Sequence, residues 1–90
     1  MSITTNTTII NRLGLHARAA AKMVQTASRF ASNVQISYRD KDVNGKSIMG
    51  VMMLAAAQGA EITLTVTGAD EAEASAALME LIENKFGEPT

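Results

Sequence analysis

The sequence predicts an α+β domain, one four-stranded antiparallel sheet with three helices on one face. Three observations lead there. Residues 34–38 and 62–67 alternate apolar and polar side chains, as strands do when one face is buried and the other wet. Residues 17–31 and 70–85 instead repeat apolar residues at helical spacing. The element order, β-α-β-β-α-β-α, fits seven elements into 90 residues, and a single sheet covered on one side is the simplest way to bury them. That length holds one domain, residues 1–90.

Taken in order, residues 3–10 are rich in Thr and Ile, which suits a strand, although their alternation is poor. Asn11-Arg12-Leu13-Gly14 breaks it. A helix over 17–31 follows, with Ala20, Met23, Val24, Ala27 and Phe30 or Ala31 on its apolar face; Ser32-Asn33 stops it. Val34, Ile36 and Tyr38 then face inward, and Arg39-Asp40-Lys41-Asp42 turns the chain into a short strand near Val43. Asn44-Gly45 is a second turn. Ser47 can cap a short helix running through Ala57, with Gly59 beyond its end. Ile62, Leu64 and Val66 alternate with threonines. Asp70, three residues before Glu73, resembles a capping box opening the last helix, whose stripe is Ala74, Ala77, Leu78, Leu81 and Ile82.

Composition excludes several functions. With no Cys there is no disulfide, thiol chemistry or thiolate metal site, and a single His argues against a histidine-based one; neither a metal nor a cofactor is expected. The longest apolar run, residues 51–57, is far short of a membrane span. The first residues show neither a basic nor an apolar stretch, so no signal peptide and a cytoplasmic location are expected. A net charge of −1 speaks against a nucleic-acid partner. The charge is nevertheless uneven: residues 1–46 carry seven Lys/Arg against two acids, and residues 47–90 one Lys against seven acids. Such an imbalance is consistent with mere interleaving in the fold, or with a basic face for an acidic partner or a phosphate.

His16 stands at the predicted strand-to-helix junction. A helix start offers unpaired N–H groups and a positive dipole end, so a phosphoryl group on the ring would lie within reach of those donors, the Ala17 N–H among them. Arg18 can aim its fork of donors at the same oxygens. Spacing alone favours a plainer reading, a His that merely caps a helix and a solvated Arg, because a single His near a helix start is common. Ser47 reads as an ordinary N-cap or as a hydroxyl open to modification. Gly45-Lys46-Ser47 is similar to the end of a P-loop, but the first glycine of that motif would fall on Asp40, and the nucleotide reading fails. Of Ile48, Met49, Met52 and Met53, most should be core, the alternative being a docking patch. No acid pair, metal cluster or Ser-His-Asp set is present, so a free-standing enzyme with a deep pocket is not expected.

Gly14-Leu15-His16-Ala17-Arg18 and Asn44-Gly45-Lys46-Ser47-Ile48-Met49-Gly50 closely resemble the two signatures of the HPr family, the histidine-containing phosphocarriers of the phosphoenolpyruvate-dependent sugar phosphotransferase system. Ala60-Glu61-Ile62-Thr63 and Thr67-Gly68-Ala69-Asp70 are also similar to that family, and the likeness spans essentially the whole chain. It implies an open-faced β-sandwich with sheet order 1-4-2-3. It implies that His16 accepts a phosphoryl group from phosphorylated enzyme I, on Nδ1, and delivers it to a IIA domain. Arg18 matches the arginine attending that group, and Ser47 the serine that a kinase/phosphorylase modifies in some bacteria. Ile48, Met49 and Met52 match the partner-binding face. The protein would act as a monomer without direct membrane contact. Ala19 departs from the pattern, which commonly has Pro there; Ala is the best helix former, so the change bears on rate rather than function.

Three other readings compete. One is a regulatory paralogue within the family, of nitrogen type or from an incomplete system. An acyl-carrier-like module modified on Ser47 would need an Asp before the Ser and an acidic four-helix chain. A small RNA-binding α/β domain would need aromatics for stacking, and these are only 3% of the chain.

Overall fold

The computed structural model describes all 90 residues. Strand β1 (Ser2–Thr8) leads to helix α1 (Ala17–Ser28), strands β2 (Asn33–Tyr38) and β3 (Lys41–Asn44), helix α2 (Ile48–Met53), strand β4 (Glu61–Thr67) and helix α3 (Glu71–Glu83). A 3-10 turn (Lys85–Gly87) follows α3. The sheet runs β1-β4-β2-β3 with every neighbour antiparallel, as expected. Four strands in one sheet leave no place for the four-helix acyl-carrier architecture.

The register explains the one-sided core. Ile3 and Val34 flank Val66, Thr5 and Ile36 flank Leu64, and Val43 lies opposite Ile36, so one row after another turns the same way. The inward strand residues meet Ala19, Ala20, Met23 and Ala27 of α1, and Ala74, Leu78 and Ile82 of α3. Rows such as Thr4, Thr65, Gln35 and Asn44 take the wet face. In β1 the alternation that looked poor is regular in space, because Thr5 and Thr7 occupy inward positions and are half-buried. The strand stops at Thr8, short of residue 10. Ile9 still exchanges hydrogen bonds, donating its N–H to Ala60 O and accepting from Gly59 N.

Four further expectations are corrected by tertiary contacts. Helix α1 ends at Ser28 rather than Ala31, because the N–H groups of Ala31 and Ser32 donate to the Asp70 carboxylate, both at 2.9 Å. That same bonding removes Asp70 from the capping box: it stands at the N-cap of α3 but its side chain caps nothing there. The Ser32 hydroxyl, and next the Ala31 N–H, hold the Asp70 carboxyl below the usual carboxylate range. Helix α2 stops at Met53 instead of Ala57. Ala55 adopts φ 53°, and the Ala56 carbonyl turns to accept the Leu15 N–H at 2.9 Å. Leu and Ala favour helix, so nothing local marks this end; the pairing with Leu15 overrides propensity. Finally, Ile48, Met49, Met52 and Met53 are all exposed, not core, and Val51 alone on α2 is fully buried.

Candidate functional site

The loop before α1 is fixed from below. Gly14 adopts φ 67°, and a Cβ there would stand 2.6 Å from Ala56 O, so the close approach of residues 14 and 56 requires glycine. Leu15 is buried beside it. Asn11, fully buried, donates from Nδ2 to Gly14 O (2.8 Å) and to Glu88 Oε1 (2.9 Å). Its Oδ1 has no partner. A flipped amide would set oxygen against two acceptors, so this orientation is dictated by its neighbours.

On this base His16 takes the N-cap position of α1 in an extended conformation (φ −71°, ψ 179°). Its carbonyl accepts the Ala20 N–H, but its ring makes no capping bond. The ring turns instead to the tail of the chain, where Nε2 meets Glu88 Oε2. The Asn11 amide, and after it the His16 ring, hold the Glu88 carboxyl below its ordinary value against the opposing push of burial. An ionised carboxylate only accepts, so the ring donates through Nε2–H, and in the neutral imidazole the lone pair lies on Nδ1. Nδ1 has no partner.

The tail that delivers Glu88 is itself anchored. Phe86 is fully buried at φ 56°, directly after Lys85 at φ 58°. Two consecutive residues in the left-handed region cost of order 1–3 kcal/mol each, which burial of an aromatic ring offsets. The Lys22 ammonium donates to Phe86 O at 2.6 Å, and the Arg12 N–H to Thr90 O at 2.9 Å.

Around the ring, Leu13, Arg18, Glu88, Pro89 and Thr90 border an open cleft. Arg18 is exposed and forms neither an ion pair nor a side-chain hydrogen bond. The backbone N–H groups of Ala17, Arg18 and Ala19 have no acceptor. Ala19 is buried, and α1 forms intact despite the absence of Pro at this point. A nucleophilic nitrogen, free N–H donors at the positive end of a twelve-residue helix and an uncommitted guanidinium therefore occupy one patch. No group of three or more His, Cys, Asp or Glu side chains is arranged to hold a metal ion.

The structure thus brings His16, Ala17 and Arg18 together and sets Ser47, Ile48, Met49 and Met52 apart from them, on α2, which packs beside α1. Ser47 caps α2: its Oγ accepts the Gly50 N–H at 3.0 Å. The Lys46 ammonium donates to Phe30 O rather than to anything at Ser47. Sequence reasoning missed Glu88 and Asn11. Glu88 lies 72 positions from His16 and is one of seven acids in its half of the chain, so no spacing singled it out. Asn11 looked like a turn residue. Met53, weighed as core or docking patch with its neighbours but absent from the partner-binding set that the resemblance implied, is exposed as well.

Comparison with known proteins bears on the family and the fold. Residues 3–84 match the family described as "PTS HPr component phosphorylation site". The phosphocarrier protein HPr of Xylella fastidiosa is 57% identical over 83 residues, 92% of this chain and 93% of that protein. The HPr of Neisseria meningitidis serogroup A is 62% identical over 80 residues, 89% of this chain and 90% of that one. Among solved structures, HPr-C-His from Thermoanaerobacter tengcongensis superposes with a TM-score of 0.94 at 49% identity, covering 98% of this chain and 99% of that one. A phosphocarrier protein HPr from Bacillus anthracis gives 0.87 at 41% identity, over 90% and 96% of the two chains. By its matched residues, its sheet order and its relatives, the chain belongs to the HPr family of phosphotransferase-system phosphocarriers.

Proposed function

We propose that this protein carries a phosphoryl group on Nδ1 of His16, received from phosphorylated enzyme I and passed to a IIA domain. The observation that carries the reading is the engagement of Nε2 by Glu88, which leaves Nδ1 as the one ring nitrogen able to attack. In the forward step the Nδ1–P bond forms as the donor's bond to phosphorus breaks, and the donor keeps that electron pair. The Nε2 proton stays in place, and the Glu88 carboxylate offsets the positive charge that the ring acquires. The phosphoryl oxygens are stabilised by the free N–H groups of Ala17 and its neighbours and by Arg18. An N–P bond to a protonated ring is labile, which suits onward transfer. An open cleft suits a group that must enter two different active sites.

Ser47 is a regulatory phosphorylation site in this reading, and Ile48, Met49 and Met52 form the apolar ground on which enzyme I docks. Phosphate on Ser47 adds about −1.5 to −2 charge at pH 7 beside that ground, where docking must desolvate it. A kinase/phosphorylase would act on Ser47 in cells that have one.

The carrier reading is tested by incubating the protein with phosphoenolpyruvate and enzyme I. One acid-labile phosphate per chain is expected, with none on His16→Ala. Enzyme-I-dependent label on that variant would sink the assignment.

A further inference from the structure

The face of α2 has a property that the docking reading does not use. In six residues it holds three methionines, Met49, Met52 and Met53, with exposures of 72%, 41% and 67%. Of the other three, Met23 is fully buried, Met79 is half-buried, and Met1 is fully exposed but lies at the start of the chain, outside α2. A thioether is the most readily oxidised group in a chain without cysteine, and access decides which ones react. The helix gives these three sulfurs little cover, since its fully buried residue is Val51.

We infer that Met49, Met52 and Met53 form a peroxide-sensitive site that detaches the carrier from enzyme I when oxidised and is restored by reduction. The inference rests on the docking role proposed for α2. Each thioether gives an electron pair to one oxygen of hydrogen peroxide. A sulfur–oxygen bond forms, the peroxide O–O bond breaks, and water leaves with both hydrogens; the sulfur is oxidised by two electrons. The product, methionine sulfoxide, is polar and chiral. Docking must then desolvate up to three sulfoxides where it previously buried apolar thioethers. That penalty falls on binding and not on the chemistry at His16, which lies on α1 and keeps its Glu88 partner. A dithiol-driven methionine sulfoxide reductase returns each sulfur to the thioether, releasing water as the dithiol becomes a disulfide.

The test uses the intact protein, enzyme I and phosphoenolpyruvate, before and after graded hydrogen peroxide. Peptide mass mapping should place the first oxygens on Met49, Met52 and Met53 and on the exposed Met1, which M49L/M52L/M53L retains as an internal control, with Met23 untouched. The KM for this protein should rise about tenfold or more, from the cost of burying unpaired polar groups. Its kcat should change little, its thermal midpoint should hold, and the reductase should restore KM. In M49L/M52L/M53L, the same treatment should leave that variant's own KM, whatever its starting value, where it was. Three mapped sulfoxides with an unmoved KM would overturn the inference, as would a KM rise of equal size in the leucine variant. Untreated protein that accepts no phosphate from enzyme I would instead sink the carrier reading, a result distinct from either of these.

Discussion

At the start of α2, Ser47 turns its hydroxyl onto its own helix and accepts the Gly50 N–H; at the start of α1, His16 turns its ring away onto the Glu88 carboxylate and caps nothing. Both residues hold extended backbone at an N-cap, and both carbonyls accept the N–H four residues on. The difference lies in where the side chain finds its partner. The Ser47 partner is local, three residues away, so its helix spends a first-turn donor on itself. The His16 partner comes from the far end of the chain, and the first-turn donors of α1 stay free. A helix start keeps its N–H donors available for an anion when tertiary structure gives the N-cap side chain something else to hold.

Arg18 should give the largest kinetic break in this contrast. Arg18→Ala removes a charge-assisted bond worth about 1.5–3 kcal/mol from the phosphoryl group alone, and transfer should slow on the order of ten- to a hundred-fold. Melting should be unchanged, because the exposed side chain forms no hydrogen bond or ion pair in the folded protein. Normal single-turnover rates would show that the helix donors suffice without it.

Next comes Glu88→Gln, which keeps the shape but exchanges a charged acceptor for a neutral one. Loss of about half the strength of the bond to Nε2–H should slow transfer by about tenfold. Nitrogen NMR of the His16 ring should show the Nε2–H tautomer weakened in the variant. The same substitution isolates a pH effect. The Glu88 carboxyl is depressed in the folded protein, so the unfolded chain takes up its proton first as pH falls. Its stabilisation is therefore complete above the ordinary Glu value and is lost as pH drops through the lowered folded value. Asp70 titrates in the same sense. Denaturant unfolding across the acid range should retain the Asp70 slope in Glu88→Gln and lose the Glu88 part; an unchanged slope would refute the pairing in solution.

On the other helix, Ser47→Asp should raise the KM for enzyme I while leaving stability within about 1 kcal/mol, since a carboxylate still accepts at a helix start. Normal KM and kcat in that variant would reduce Ser47 to a cap. The smallest effect concerns the caps themselves. Ser47→Ala should cost about 1 kcal/mol in denaturant unfolding, whereas loss of a capping bond contributes nothing to the stability of His16→Ala, because none exists there.

Much of this architecture was legible before folding. In β2 and β4, apolar residues at period two fixed which face is buried. In α1, Ala20, Met23 and Ala27 marked the core side. The ends of α1 and α2 were not legible, because Asp70 and Leu15, far away in sequence, decide them. At the site the sequence offered His16, Ala17 and Arg18 within three consecutive positions, and offered nothing to distinguish Glu88 from the other acids. The methionines of α2 were misplaced for a related reason. Helical spacing states which residues share a face; it cannot state whether that face meets another element.

By itself, then, the sequence determined element type, the inward face of β2 and β4 and the local cluster around His16, because all three follow from short-range periodicity and from chemistry within a few residues. Tertiary structure alone decided helix ends, the exposure of Met49, Met52 and Met53, and which nitrogen of His16 is free. Those depend on hydrogen bonds and burial between segments dozens of residues apart, such as the carboxylate that a buried Phe86 and a buried Asn11 bring to the imidazole. A pattern confined to neighbouring residues cannot encode which distant partner will occupy a given donor.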